Sequence, residues 1–172
     1  VIVEKGIGRR IMSGMHAFWS LGGFVGYTRR DYDQGNRHFR GLTAGFDTEW
    51  AVSGAVQMRA SLGRSIEPDD DAVTGSYADT WSLNFSPTIQ ATGKITVEPY
   101  LRFYDRRYKG DQLAAGQVER KDKIYMVGAE ADYEFRRNMF LMANISREQR
   151  DSNRANLDYK ANVFGVGLKV QF

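Results

Sequence analysis

Apolar and polar residues alternate along this chain from Trp19 to Phe172, with polar stretches between the alternating segments. Successive side chains of an extended backbone point to opposite sides, so each alternating segment predicts a β-strand with one apolar and one polar face. Eight such strands are visible. Their apolar positions run over 19–27, 42–50, 56–62, 81–89, 95–103, 125–135, 139–145 and 164–172. The sequence therefore predicts an all-β domain of half-buried strands.

The polar face decides whether these strands form a soluble sandwich or a membrane barrel, because it could meet either solvent or a wet lumen. Two features favour the lumen. Most apolar runs are about nine to eleven residues long, the length that crosses a bilayer on a tilted strand. Large aromatics lie near the ends of several runs, as in the interfacial girdles of membrane barrels. These aromatics are Trp19, Tyr27, Trp50, Trp81, Tyr125, Tyr133 and Phe135.

The connections between the strands favour the same architecture, because short and long ones alternate. Short turns are predicted at 52–55, 91–94 and 136–138, and long polar loops at 29–37, 66–79, 109–123 and 147–158. Short periplasmic turns opposite long external loops are typical of outer-membrane barrels, whereas the Greek-key connections of a sandwich would break this rhythm. We therefore predict an antiparallel up-and-down transmembrane β-barrel with eight visible strands, either complete or part of a larger barrel.

Composition excludes several classes of protein. The 172 residues contain no apolar run long enough for a helical span and no Cys for disulfides or thiolate sites. The net charge of +3 is too small to indicate a nucleic-acid partner. No charged-then-apolar leader precedes the strands, so we expect residue 1 to be a processed or trimmed end. A single domain is predicted over residues 1–172.

Residues 1–13 fit two interpretations. The Ser13–Gly14 pair resembles the short turns further along the chain, so residues 1–10 would be the remains of a preceding strand in a larger barrel. Alternatively, residues 1–13 form a periplasmic tail that leads into a complete eight-stranded barrel.

Two prolines, Pro87 and Pro99, fall on the apolar face of predicted strands. Proline lacks the N–H group that a β-ladder needs, so we expect a bulge or a strand end at each position.

The last strand resembles the C-terminal insertion signal of outer-membrane barrels, which has a terminal aromatic, alternate apolar residues and a nearby glycine. Here the signal would consist of Phe164, Gly167, Leu168, Val170 and Phe172. The resemblance implies recognition by the barrel-insertion machinery, which would read this segment as an unpaired strand.

The chain from about Phe18 onward is similar to the C-terminal half of porin-like barrels that occur with exopolysaccharide gene clusters. The similar stretches are GLTAGFDTEWAVSGAVQMRASLGRS (41–65), SPTIQATGKITVEPYLRFYDRRY (86–108) and REQRDSNRANLDYKANVFGVGLKVQF (147–172). This resemblance implies the outer membrane of a Gram-negative bacterium, a role in exporting or anchoring a secreted polysaccharide, and a parent barrel longer than this chain.

No set of residues indicates catalysis or a metal site, and no cofactor is expected. His16 at the periplasmic rim and His38 in the first external loop lie too far apart to share a metal. Asp31 and Asp33 lie in the same loop as His38, but a loop histidine among acids is more often solvated than catalytic. The acidic stretch at 67–71 lacks calcium-loop spacing, so we expect a solvated loop tip rather than a cation site.

One polar ladder is the sharpest functional candidate. Tyr100, Arg102, Tyr104 and Arg106 alternate along the fifth strand with Tyr108 beyond them, and the next strand carries Glu130, Asp132 and Glu134. Aromatic rings stack on sugars and charged groups bind hydroxyls, so these residues could line a saccharide path. They could instead fill a small barrel as a plug of acid–base pairs, with Arg102 paired to Glu130 or Asp132.

Basic residues crowd the predicted outer ends of the strands. Six of them are candidates for contact with the phosphates of lipopolysaccharide: Arg29, Arg30, Arg107, Lys109, Lys121 and Lys123. Their planar or compact cations match phosphate groups at the height of the outer headgroups. The alternative is that they only keep the loops soluble.

The sequence thus predicts a non-enzymatic, porin-like barrel of the bacterial outer membrane, associated with the export or passage of a polysaccharide. Its partners would be membrane lipid with lipopolysaccharide, the insertion machinery and a polysaccharide, with no nucleic acid. The alternative function is a closed small structural or adhesion barrel whose external loops carry the activity. The radius of the lumen separates these two functions.

Overall fold

A computed structural model describes residues 2–13, 17–30, 39–68, 77–109 and 118–171. These residues form nine strands and, within the ranges just given, no helix. The strands are β1 (Ile2–Ser13), β2 (Ala17–Arg30), β3 (Phe39–Ala51), β4 (Val56–Pro68), β5 (Tyr77–Thr92), β6 (Ile95–Lys109), β7 (Lys121–Arg136), β8 (Met139–Ser152) and β9 (Tyr159–Val170). No membrane-spanning helix is therefore found in the described part of the chain.

All nine strands belong to one sheet, in chain order, and each is antiparallel to the next. The eight strands predicted from alternation are β2–β9, so the antiparallel up-and-down architecture is confirmed. Strand β1 precedes them and pairs with β2 over its whole length, from Ile2 opposite Thr28 to Ser13 opposite Ala17. Residues 2–13 are thus a strand in this structure. Among the described residues no pairing joins β1 to β9, so the sheet is open.

Three tight turns connect β3 to β4, β5 to β6 and β7 to β8, and we call this edge of the sheet the turn end. In the first, the Ser53 hydroxyl accepts hydrogen bonds from the amides of Ala55 and Val56 at 3.2 and 3.1 Å. In the second, Thr92 accepts bonds from two amides in the same way. The third uses Asn138 at φ 63°, a conformation that asparagine tolerates better than most residues. All three turns lie where the sequence predicted them.

At the opposite edge, the loop end, the strands are longer than predicted. Parts of three predicted loops, 66–79, 109–123 and 147–158, belong to strands in the structure. Strand β4 runs to Pro68, β7 begins at Lys121 and β8 continues to Ser152. The reason is that backbone pairing continues where both faces carry polar side chains and alternation disappears. Residues 31–38, 69–76 and 110–117 lie outside the described ranges.

Pro87 and Pro99 lie opposite each other. The β5–β6 register is the same on both sides of them, with Phe85 opposite Leu101 and Ile89 opposite Val97, and the pairing is interrupted only between these positions. Proline lacks the N–H donor, and aligning the two residues confines the loss to a single gap. The predicted bulge or strand end at each proline is therefore wrong. The one irregularity between β5 and β6 lies at Gln90–Thr92, beside the turn.

The two faces of the sheet differ in chemistry. On the apolar face, a belt of apolar side chains runs between two rows of aromatics: Trp19, Trp50 and Tyr133 near the turn end, and Tyr27, Trp81 and Tyr125 near the loop end. These side chains are widely exposed, for example Leu83 at 50% and Val166 at 81%. An apolar surface of this extent is unfavourable in water and suits contact with lipid. The opposite, polar face carries the ladder.

Candidate functional site

The polar face brings the predicted ladder together on β6. Alternation places Tyr100, Arg102, Tyr104 and Arg106 on one side of the strand, in line with Glu98 and Tyr108. Each of two arginines lies over a tyrosine: Arg102 Cζ is 4.5 Å from the centre of the Tyr100 ring, and Arg106 Cζ is 5.6 Å from that of Tyr104. Cation–π contacts of this kind hold a guanidinium flat against a ring without neutralising its charge.

The three predicted acids, Glu130, Asp132 and Glu134, lie on the same face of β7, but towards the turn end. Glu98 is opposite Glu130, and Thr96 is opposite Asp132. Arg102 is opposite Met126 instead, and its side chain is exposed. The expected pairing of Arg102 with Glu130 or Asp132 is therefore not formed. The ladder and the acids share two neighbouring strands, but they occupy different heights along them.

A chain of hydrogen bonds crosses the polar face near the acids. Arg59 Nη2 of β4 donates to the Thr88 hydroxyl at 3.0 Å, and Thr88 donates to Glu98 Oε1 at 3.2 Å. Further towards the loop end, Asn84 Nδ2 donates to the Ser61 hydroxyl at 3.1 Å. Hydrogen-bonding groups thus line this face from β4 to β6.

Glycines give the larger side chains room to lie on the sheet. A Cβ atom at residue 128 would lie 2.5 Å from Cζ of Tyr100, so Gly128 lets that ring pack directly on the backbone of β7. Gly165 and Gly167 of β9 form part of a hollow of about 260 Å³ beside Glu130 and Asp132. The polar face is therefore recessed where the acids lie.

A second charged cluster lies on the polar face at the loop end, centred on Asp122. The side chain of Asp122 is fully buried. Arg120 Nη2 and the Ser152 hydroxyl each donate to the carboxylate at 2.7 Å, and Arg150 Nε lies 3.6 Å from it. Arg120 also lies 4.2 Å above the centre of the Tyr108 ring. Sequence reasoning missed this cluster, although the alternation Arg120–Lys121–Asp122 indicated two opposite charges on one face.

Asp122 lies beyond Tyr125, outside the apolar belt. Burial raises the pKa of its carboxyl, but the hydrogen bonds from Arg120 and Ser152 and the charges of Arg120 and Arg150 outweigh burial. The net result is a pKa below the ordinary carboxyl value, so Asp122 is ionised at neutral pH.

Residues 20–172 match the family described as Putative beta-barrel porin 2. The chain belongs to this family. No protein of established annotation matches it. Because the family consists of β-barrels, the polar face of this porin-family sheet corresponds to the interior of the barrel, and the apolar face to its exterior.

The basic residues proposed to contact lipopolysaccharide lie on the exterior of the porin-family sheet, at the loop end. Alternation places Arg29, Arg107, Lys109, Lys121 and Lys123 on the apolar face, beyond the aromatic row. Arg30 belongs to β2, and its side chain lies outside the described part of the structure.

One carboxylate, that of Asp79, pairs with cations on this exterior surface. Asp79 accepts two hydrogen bonds from Arg64, both at 2.9 Å, and lies 3.7 Å from Lys109 Nζ. Asp79 lies two positions beyond Trp81, outside the apolar belt. The hydrogen bonds from Arg64 lower its pKa, burial opposes them, and the charges of Arg64, Lys109 and Arg107 add to the lowering.

The residues of the predicted insertion signal lie on the edge strand of the sheet. Phe164, Leu168 and Val170 are exposed on the apolar face of β9, and Gly167 lies between them on the polar face. Phe172 is outside the described residues. One side of β9 has no partner strand among the residues that the structure describes, which is the geometry that pairing with an added strand requires.

The sites expected to be inactive fall mostly outside the described residues: His16, His38, Asp31, Asp33 and 69–71. Glu67 is described and accepts a hydrogen bond from the Ser65 hydroxyl at 2.9 Å. In the described ranges, no group of three or more His, Cys, Asp or Glu side chains is placed to hold a metal ion.

Proposed function

We propose that this chain is part of a non-enzymatic outer-membrane barrel that passes a polysaccharide, with the tyrosine–arginine ladder of β6 lining the path. The family supports a porin-like barrel, and a barrel with an apolar exterior belongs in a membrane. The family does not indicate that the solute is a polysaccharide, nor the direction of its passage. Both parts of the proposal rest on the ladder and on the similarity of residues 41–65, 86–108 and 147–172 to barrels of exopolysaccharide gene clusters.

The observation that carries the proposal is the exposed, carboxylate-free position of Arg102. In a plug, Arg102 would be neutralised by a facing acid, and both groups would be buried. Here the register places Met126 across from it, and the guanidinium rests on Tyr100 at 4.5 Å. A cation and a ring held side by side on an open face present both a stacking surface and hydrogen-bond donors to a sugar.

The remaining polar face supports the same function. On β4 and β5 the side chains of this face are small or hydrogen-bonding, such as Ser61, Asn84 and Ser86. The acids Glu98 and Glu130 face each other without a cation between them in the register. Like charges in this arrangement repel unless water separates them, so a wet interior fits this face better than a filled one.

The test is to measure stability and passage on the same variants. Arg102→Ala and Tyr104→Ala should reduce the blocking of single-channel current by oligosaccharides in planar bilayers, and leave the urea midpoint of unfolding unchanged. The matched control is Arg107→Ala, which removes the same charge from the same strand on the apolar face and should not change blocking. Clear destabilisation by Arg102→Ala, or blocking equal to that of the control, contradicts the proposal.

The second function, a closed barrel that acts through its external loops, has no specific observation in its favour. The centres of three loops, where that activity would reside, lie outside the described residues. It stays a prediction, and a protein without measurable conductance that still binds cells or surfaces would support it.

A further inference from the structure

The apolar face has a hollow of about 380 Å³ across β5 to β8. Its walls include Leu83, Phe103, Tyr125 and Val127, and the rings of Phe103 and Tyr125 are 5.0 Å apart between centres. These side chains lie in the apolar belt at its loop-end half. A concave apolar surface that faces lipid gives a hydrocarbon chain more contact than the flat sheet around it.

Cations border this hollow: Arg147 lies beside it, opposite Val127, and Lys123 and Lys160 lie further towards the loop end. Arg147 and Gln149 of β8 form part of the lining, and Lys160 of β9 is opposite Gln149. Lys123 follows Tyr125 outward on β7, on the same face. In the register Lys123 lies four residues outward of Arg147 and two outward of Lys160. With strands about 4.8 Å apart and residues about 3.3 Å apart along a strand, the three backbone positions span about 14 Å, which suits a ligand that carries more than one phosphate.

These cations differ from their neighbours in having no carboxylate partner. Arg107 pairs with Asp105 at 3.4 Å, and Arg64 and Lys109 contact Asp79. Lys123, Arg147 and Lys160 are exposed and form no ion pair with any described residue. Two acids face Lys123 in the register, Asp105 on β6 and Asp151 on β8. Asp105 pairs with Arg107 instead, and Asp151 accepts a hydrogen bond from Gln149 at 2.9 Å.

We propose that this surface binds one molecule of lipopolysaccharide, with an acyl chain in the hollow and lipid A phosphate at Lys123, Arg147 and Lys160. The arrangement matches the ligand, because the free cations border the apolar hollow from its side to the loop end. Three free cations around one hollow exceed what a phospholipid with a single phosphate needs, so charge favours a glycolipid with several phosphates. The inference concerns the exterior of the barrel and does not depend on polysaccharide passage.

Binding can be measured by native mass spectrometry on the chain refolded in a neutral detergent, with diphosphorylated lipid A as the probe. Arg147→Gln should weaken binding about tenfold, as expected for losing one charge-assisted contact, and adding Lys123→Gln and Lys160→Gln should weaken it further. Arg59→Gln, which removes an arginine from the polar face, is the matched control and should bind normally. Heat-dependent mobility in gels confirms folding of each variant.

The apolar half of the site is tested separately. Val127→Trp fills the hollow and should reduce lipid A binding, whereas Val166→Trp enlarges a side chain on the same face of β9, away from the hollow, and should not. Phosphatidylglycerol serves as the competing lipid with one phosphate. Equal binding of both lipids, or binding unchanged by both Val127→Trp and the triple glutamine variant, overturns the proposal. Absence of lipid A binding by the folded wild type overturns it as well.

The site also requires the loop end to face the cell exterior. Ala155→Cys, between β8 and β9, should react with an impermeant reagent on intact cells, and Gly93→Cys in the turn between β5 and β6 should not. The reverse labelling would place the hollow in the inner leaflet, where lipopolysaccharide is not the resident lipid, and would overturn the assignment while leaving polysaccharide passage untouched.

Discussion

Asp122 and Glu130 lie on the same strand and the same face of the sheet, and they carry the same charge, but their surroundings are opposite. Asp122, near the loop end, is fully buried and is bonded to Arg120 and Ser152, with Arg150 close by. Glu130, nearer the turn end, is exposed, faces Glu98 and borders a hollow. Two carboxylates that look alike in the sequence therefore have different tasks.

The role of a charge thus depends on its position along a barrel strand as well as on the face that it occupies. At the loop end the charges of Asp122 and its arginines satisfy one another and fix the ends of β6, β7 and β8 together. Nearer the turn end, Glu130 and Asp132 have no cation across from them and can interact with water, ions or a passing solute. The following predictions test this contrast.

The largest effect is expected at Asp122. Asp122→Ala leaves Arg120 and Arg150 without their shared carboxylate, and breaking a buried ion pair in this way costs about 3 kcal/mol or more. Glu130→Ala is the matched control and should leave the free energy of unfolding unchanged or slightly increased, because it removes repulsion from Glu98. Urea unfolding in lipid vesicles measures both. Equal losses for the two variants would mean that Glu130 also has a structural role.

The contrast assumes that the polar face is the interior, which neighbouring residues on β5 can test. Leu83→Arg places a charge in the apolar belt and should cost about 2–4 kcal/mol. Asn84→Arg, on the opposite face, should cost much less if the interior has room and water. The measurement is again urea unfolding in vesicles, and equal stabilities of the two variants would refute the assigned faces.

A smaller effect is expected from the exposed acids on ion flow. Glu98→Gln combined with Glu130→Gln should lower the preference for cations over anions about two- to threefold, since water screens each charge in a wet lumen. Reversal potentials in a salt gradient report this preference. Lys123→Gln, on the exterior, is the control. If Lys123→Gln changes the ion selectivity as much as the double glutamine variant does, these acids do not line the path.

The smallest effect is a pH dependence of the Asp122 cluster. Its pKa is lowered in the folded protein, so its contribution to stability is complete above the ordinary carboxyl value of 3.8 and is lost only as the pH falls through the lower folded value. The difference in unfolding free energy between wild type and Asp122→Ala should therefore stay constant from neutral pH down to about 4. A difference that already declines near pH 6 would contradict a lowered pKa.

Much of the fold could be predicted because its signal is local. Alternation identified β2–β9, and the pattern at Leu83 and Asn84 gave the two faces without any knowledge of partners. Short turns could be placed because Ser53, Thr92 and Asn138 are residues that close turns. The extra length at the loop end could not be predicted, since charges on both faces of β7 and β8 remove the alternation on which the prediction depended.

The candidate site was harder to predict from the sequence, because it depends on the register between strands. The sequence indicated correctly that β6 and β7 are neighbours, but not which residues face each other across them. A shift of four residues separates the expected pairing of Arg102 with Glu130 from the actual pairing of Arg102 with Met126. For the same reason the sequence did not predict the Asp122 cluster. The partners of Asp122 are Arg120, two residues before it, and Ser152 and Arg150 on β8.

The number of strands in this sheet has a consequence for how a barrel can close around it. In an antiparallel series, odd-numbered strands all run in one direction, so β1 and β9 point the same way. Joining them directly would create a single parallel pair in an otherwise antiparallel ring, whereas bacterial single-chain barrels contain an even number of antiparallel strands. Repeating the sheet around a common axis reproduces the parallel junction at every repeat. A closed antiparallel barrel that includes these nine strands therefore places an odd number of further strands between β9 and β1.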